Sequence, residues 1–155
     1  MNITIRKGTR VDIPHALRLI KELAAYEKAL DQVLVDEAQM EQDGFGKTPI
    51  FEFMVAELEQ EIIGLAIYYY RYSTWKGRSL YLEDLVVTEA QRGKGVGGEL
   101  FLATVKVALE RDAQLLTWQV LDWNEPAIKF YKKLDADFDP EWINCKLTRK
   151  QMELL

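Results

Sequence analysis

At 155 residues the chain is long enough for one domain with a buried core, and its 48% apolar and 29% charged residues are ordinary for a globular protein. The net charge of −5 excludes the basic footprint of a nucleic-acid binder and tilts toward a cationic small molecule. One cysteine, Cys145, rules out an internal disulfide, and with one histidine, His15, no Cys/His metal cluster can be assembled. No apolar run reaches the roughly 20 residues of a membrane span. The opening MNITIRKGTR lacks the apolar stretch of an export signal. The expectation is a cytoplasmic protein with neither membrane nor nucleic acid as partner. No repeat or linker interrupts the chain, so residues 1–155 are expected to form a single domain.

In chain order, ITIRK (3–7) alternates and predicts a first strand. The stretch 9–30 predicts a helix with Leu17, Ile20, Leu23 and Ala24 on one face, Asp12 and Pro14 at its entry and His15 exposed. VDEAQMEQDGFG predicts a shorter helix closed by Gly44. Residues 50–59, 61–72 and 79–88 read as three strands, the first two separated by a charged turn. A glycine-rich loop follows, then a helix over 96–111, a strand over LLTWQVL (115–121) and a helix over 124–134. EWINCKL (141–147) predicts a closing strand that buries Cys145. Consecutive early strands imply antiparallel hairpins, and the later strand-helix-strand implies a parallel crossover. The sum is a mixed sheet with helices on both faces.

The loop QRGKGVGGEL (91–100) holds four glycines within residues 93–98. A Walker loop needs Ser or Thr after its lysine, and Lys94 is followed by Gly95. Gly93, Gly95 and Gly98 match the dinucleotide spacing, with Asp122 where a ribose-binding acid sits. Against that reading, TEAQR separates the glycines from the strand, and most of the chain precedes them. The third reading is Arg92-x-x-Gly95-x-Gly97 after a strand ending in LVV: a turn that aims backbone N–H groups and a helix dipole at a phosphate, with Arg92 as counter-charge. A plain turn needs one or two glycines, and each further one costs about 0.5–1 kcal/mol against alanine inside a helix.

The blocks LRLIKELAAYEK, DGFG, YYYRYSTWKGR, YLEDLVV, RGKGVG and LDWNEPAIKFYKKL occur in that order. From about Ile5 to Leu147 the chain thereby resembles the spermidine/spermine N1-acetyltransferase family of the GNAT superfamily, and STWKGR and LDWN look more like its thialysine branch. The resemblance implies an α/β GNAT (acyl-CoA N-acyltransferase) fold: a mixed, mostly antiparallel central sheet, helices on both faces and a splayed strand pair. It also implies acetyl-CoA as cosubstrate, a small-molecule amine as acceptor, no metal, and a homodimer in which the carboxy-terminal strand takes part.

Acetylating an amine near pH 7 requires a proton acceptor, since an alkyl ammonium of pKa about 10.4 resists deprotonation by roughly 4.6 kcal/mol. Glu83 and Asp84 place carboxylates in an otherwise apolar strand. If that strand stays regular, Tyr81, Glu83, Leu85 and Val87 share one face and Asp84 points the other way; a bulge would re-aim one of them. The resemblance gives Glu83 the amine and its proton, with Asp84 beside it. It gives the pantetheine arm the backbone of Leu85, Val86 and Val87, with an N–H such as that of Leu85 facing the oxyanion. It gives the pyrophosphate Arg92, Gly93, Lys94, Gly95, Val96, Gly97 and Gly98. Asn124 reads as an N-cap with Pro126 in the first turn. By resemblance Asn124, Glu125, Pro126 and Ala127 touch the cofactor, and Tyr131 protonates the departing thiolate.

Tyr26 and Glu27 match the pair that holds the far end of the amine. Ser73, Thr74 and Trp75 lie on the substrate side, and the two hydroxyls replace an acid and a proline of the polyamine enzymes. That exchange, with Arg78 near, favours an amino acid carrying an amine tail, such as thialysine, ornithine or lysine. The chain departs from the pattern at Asp135, at Gly98 where relatives often carry serine, and in a shorter segment before WINCKL. A polyamine acetyltransferase, a non-catalytic acetyl-CoA-binding module and a dinucleotide-binding protein stand as alternatives; Glu83 and Tyr131 together argue against the module.

Overall fold

A computed structural model describes residues 2–155 of the chain. They divide into two compact units, one ending at Gln119 and the other running from Val120 to Leu155. The first unit is built on a five-stranded sheet in the order β1 (Ile3–Lys7), β2 (Glu52–Leu58), β3 (Glu61–Ser73), β4 (Gly77–Val87) and β5 (Leu115–Thr117). The first four strands pair antiparallel, and β5 returns parallel to β4. Between β2 and β3 the polar residues Glu59 and Gln60 form the turn, both at positive φ (50° and 70°). Two left-handed residues match the natural twist of a tight hairpin.

One face of the sheet carries α1 (Ile13–Tyr26) and α2 (Glu37–Phe45). Ile13, Ala16, Leu17 and Leu19 of α1 and Met40 of α2 pack with Phe53, Val55, Leu65, Ile67 and Val86 of the strands. The other face carries α3 (Val96–Glu110), whose Ala108 clusters with Tyr68 and Leu80. Gly64 permits this approach: a Cβ there would sit 2.8 Å from Leu100 Cδ1. Glycine at that position therefore sets how near α3 lies to the sheet.

Asp12 stands at the entry of α1 as expected, but its side chain does not cap that helix. It takes both guanidinium nitrogens of Arg6 (2.8 and 2.9 Å) and the backbone N–H and hydroxyl of Thr9 (2.8 Å each). The buried carboxylate thus ties β1 to the turn that launches α1. The second helix is not closed by Gly44. It continues to Phe45 with Gly46 at its end, and the missing side chain of Gly44 makes room for the Phe51 ring.

The second unit contains α4 (Glu125–Lys133) and α5 (Arg149–Met152). Asn124 accepts from the Ala127 N–H (3.4 Å), and Pro126 sits in the first turn of α4. Asp135 follows α4 at φ 58°, the left-handed position that glycine fills at least cost. Two strand expectations fail. The strand predicted over 115–121 stops at Thr117, where its ladder with β4 ends at Tyr81. Residues 141–147 form no strand, and Cys145 is exposed rather than buried. Their alternation is a real β-propensity, but a strand needs a partner to satisfy its backbone, and the sheet ends at β5.

Replacing Asp12 with alanine should lower folding stability by about 2–3 kcal/mol, because a buried, multiply bonded carboxylate is lost. Arg6 holds this carboxyl well below the ordinary carboxylate range. Its contribution is therefore complete above about pH 4 and drains away in stronger acid. Urea titrations of both proteins at pH 7 and pH 2 should differ widely at the first and clearly less at the second.

Candidate active site

The site begins with an irregularity in β4. Tyr68 pairs with Leu82 and Ile67 with Asp84, so Glu83 is an extra residue opposite no single partner. This is a β-bulge, and it overturns the regular alternation expected for the strand. Cross-strand partners share a face, so Tyr81 with Tyr69 and Asp84 with Ile67 lie on the α1 side of the sheet. Leu85 and Val87 are turned to the α3 side, where a Cβ on Gly97 would meet Val87 Cγ2 at 3.7 Å. Glu83 Oε2 accepts the Tyr69 hydroxyl at 2.6 Å. The bulge therefore brings both carboxylates toward one face, where a regular strand would have separated them.

The charges there interact. Asp84 is half-buried, and its carboxyl is pushed up to about 6, first by desolvation and then by the negative charges of Glu83 and Glu27. Burial also raises Glu27, which ends α1. Burial raises Tyr81 as well, assisted by the charge of Glu83. Three acids from two elements, with two tyrosines whose rings lie 5.4 Å apart, make an anionic corner that favours an alkyl ammonium. Tyr69 also helps to line a cavity of about 340 Å³ with Phe45, Phe51 and Phe53.

Past Tyr81, β4 is strand-paired on one side only: β3 follows it to Val87, while β5 has ended. At the last paired residue of β5, Thr117 Oγ1 is buried with no hydrogen-bond partner among the described residues. Leu85, Val86 and Val87 occupy this half-open length. The chain then enters the glycine loop. Gly93 and Gly95 take positive φ (75° and 88°), and nothing lies within 4 Å of where their Cβ atoms would be. Gly95 is the N-cap of α3, which places Val96, Gly97 and Gly98 in its first turn with their N–H groups free of intrahelical partners. An open bend running into a helix N-terminus fits a phosphate group.

Arg92 is already engaged. Its Nε donates to the Val87 carbonyl (2.9 Å), its Nη2 lies 3.4 Å from Glu22 Oε1, and its guanidinium sits 5.2 Å from the centre of the Tyr26 ring. Lys94 folds back onto the Ala90 carbonyl and Gln91 (2.9 Å each). Glu22, not foreseen, also accepts from the Glu89 N–H (2.8 Å) and the Thr88 hydroxyl (3.0 Å). From sequence it reads as a surface partner for Arg18 four residues earlier. Tyr69 was likewise missed, because a tyrosine in a strand shows its partner only once the register is known.

The remaining sequence candidates fall elsewhere. Ser73 Oγ accepts from the N–H groups of Trp75 and Lys76 (3.3 and 3.1 Å), so this hydroxyl builds the β3–β4 turn. That turn lies several residues along the hairpin from Glu83, and the chain does not bring Ser73, Thr74 and Trp75 together with the carboxylates. Arg78 donates to the Arg111 carbonyl at the end of α3 (3.1 Å). In the second unit Tyr131 is buried on α4, with its ring 5.1 Å from that of Phe130, and burial pushes its phenol up to about 12. It is thus a proton donor throughout the neutral range.

A match to the acetyltransferase (GNAT) family spans residues 17–136. A thialysine N-epsilon-acetyltransferase of Bos taurus is 42% identical over 142 residues, covering 86% of this chain and 84% of its own. Spermidine/spermine N(1)-acetyltransferase-like protein 1 of Homo sapiens is 34% identical over 158 residues, covering 96% of this chain and 23% of its own. Among solved structures, an integron cassette protein from the mobile metagenome of V. cholerae superposes with a TM-score of 0.80 at 21% identity, covering 99% of this chain and 97% of its own. This last likeness concerns the fold alone.

Because Asp84 binds its proton more tightly folded than unfolded, wild-type stability should fall as pH rises from about 4 through about 6 and stay low above it. The shift corresponds to about 3 kcal/mol. Asp84→Asn should therefore melt several degrees higher than wild type at pH 8 and close to it at pH 4.

Proposed function

The chain belongs to the acetyltransferase (GNAT) family; we propose that it moves the acetyl group of acetyl-CoA onto the side-chain amine of a small amino acid related to lysine. The observation that carries this reading is the bulge at Glu83, which gathers two carboxylates beside the half-open length of β4. Acetyl-CoA supplies the acetyl group as an activated thioester.

The roles follow from the chemistry each group can perform. Glu83, Asp84 and Glu27 attract the ammonium, and Glu83 draws off its proton through water, leaving a nitrogen lone pair able to attack the acetyl carbonyl. The Leu85 N–H serves the oxyanion that develops there. Leu85, Val86 and Val87 offer backbone groups to the pantetheine arm. The bend from Arg92 through Gly93, Lys94, Gly95, Val96, Gly97 and Gly98 receives the pyrophosphate on its amides. Arg92 contributes its charge either directly or from its post beside Glu22. Asn124, Glu125, Pro126 and Ala127 complete the cofactor contacts, and Tyr131 returns a proton to sulfur; family resemblance supports both assignments. Tyr26 and Glu27 hold the far end of the acceptor.

The lysine-like acceptor is supported by the thialysine N-epsilon-acetyltransferase of Bos taurus as the more similar of the two relatives compared. A polyamine acceptor is favoured by one observation, the clustering of Glu83 and Glu27 around Asp84. The reading further includes a cytoplasmic homodimer. The exposed Trp142, Ile143 and Leu147 near the carboxy terminus supply apolar surface for such an interface, and no helix of the described residues is long and apolar enough to cross a membrane.

Release of free thiol from acetyl-CoA should be seen with thialysine, lysine or ornithine, at a kcat/KM above that for spermidine. The reverse ranking establishes the polyamine enzyme, and no release with any amine removes the reading. Tyr131→Phe should lower kcat by about tenfold to a hundredfold while acetyl-CoA still binds; unchanged turnover excludes Tyr131 as the acid.

A further inference from the structure

We infer that Tyr69 is a positioning residue for the reaction: its hydroxyl, donated to Glu83 Oε2, fixes the surplus residue of the bulge so that its carboxylate stands ready for the acceptor amine. No known role of the chain assigns this tyrosine. The kinetic consequence rests on the amine-acetyltransferase reading; the hydrogen bond itself does not.

A residue at a bulge lacks the ladder contacts that fix its neighbours, and Glu83 is exposed, so by itself its side chain would sample many rotamers. The hydroxyl at 2.6 Å removes that freedom with a short bond to a carboxylate oxygen. Tyr69 is itself held. Its backbone pairs with Tyr81 across β3 and β4, and the two rings lie 5.4 Å apart at 32°. Burial and the charge of Glu83 keep its phenol well above the ordinary range, so it remains a donor and takes no proton from the amine.

The charged and titratable groups around this bond come from three elements: Tyr81 and Asp84 from β4, Glu27 from the end of α1, and Arg71 of β3, whose guanidinium lies 5.6 Å from the centre of the Tyr81 ring. The hydrogen bond that reaches Glu83 comes from the Tyr69 hydroxyl. The Tyr69 ring meanwhile helps to line the cavity shared with Phe45, Phe51 and Phe53. Tyr69→Phe therefore removes one oxygen and leaves the wall in place.

The test compares wild type, Tyr69→Phe and Tyr72→Phe with acetyl-CoA and the best amine of the panel, each first checked for a cooperative melt. Tyr72 lies on the same strand, exposed and paired with Arg78 away from the bulge. Loss of the positioning bond in Tyr69→Phe should lower kcat by about tenfold, with the KM for acetyl-CoA unchanged. Tyr72→Phe should keep the wild-type kcat. An active Tyr69→Phe protein with the wild-type kcat, or an equal fall in Tyr72→Phe, overturns the proposal. Proton NMR of the wild-type protein should show a slowly exchanging, downfield Tyr69 hydroxyl that disappears in Glu83→Gln. Its absence in wild type overturns the proposal without any activity measurement. Wild type that binds acetyl-CoA, shows this resonance and acetylates no amine removes the parent reading and leaves the positioning bond standing.

Discussion

The strand β4 is paired along its whole length by β3 but for only three residues, Ser79 to Tyr81, by β5. This one-sided pairing is the constraint on which the site depends. A strand with two full neighbours has no backbone to spare and no room for a ligand at its side. Where β5 ends, β4 keeps its conformation because β3 still holds it, and its other edge becomes a rigid template. The glycine bend begins within a few residues of the template's end, and the helix it leads into presents its first N–H groups. An extended ligand with a diphosphate near one end suits that sequence of features better than a compact one.

The same strand supplies the acidic corner. A bulge is the cheapest way for a sheet to turn two successive side chains toward one face without disturbing the pairing on either side. The electrostatic consequence is adverse, because Asp84 is crowded by Glu83 and Glu27 while partly removed from water. A cation entering the corner relieves that crowding, so its binding gains from a tension already present in the fold. Helix α1 joins the two ends of the site. Glu27 reaches the corner, while Glu22 and Tyr26, one turn apart, grip the junction between β4 and the glycine bend through Thr88, Glu89 and Arg92. The acidic corner and the glycine bend therefore share one helix as their common support.

Much of this was legible before any coordinates. The order of elements through α4 follows from periodicity, and the glycine spacing together with the strand before it singles out the bend that runs into α3. Asn124 and Pro126 mark the start of α4 by capping chemistry alone. What could not be read depends on pairing. Period-two alternation does not say whether a strand is bulged, so the faces of Leu85 and Val87 relative to Tyr81 stayed conditional, and Tyr69 gave no hint of Glu83. The last four residues of LLTWQVL are as apolar and branched as the first three, and only the parting from β4 separates them. WINCKL has a strand's composition and lacks a strand's neighbour. Glu22 hid behind a commonplace helical spacing, because its partners lie some 66 to 70 positions away.

The bulge also means that β4 is one residue longer than its partner requires. Excising Glu83 would leave Leu82 opposite Tyr68 and Asp84 opposite Ile67, with every later match down to Val87 and Gly64 intact. The architecture can thus gain or shed this exposed carboxylate by a three-nucleotide insertion or deletion, with the strand pairing on either side unchanged. A lineage of such proteins has, at this one spot, a route to add or remove a negative charge beside Asp84 that leaves folding nearly indifferent.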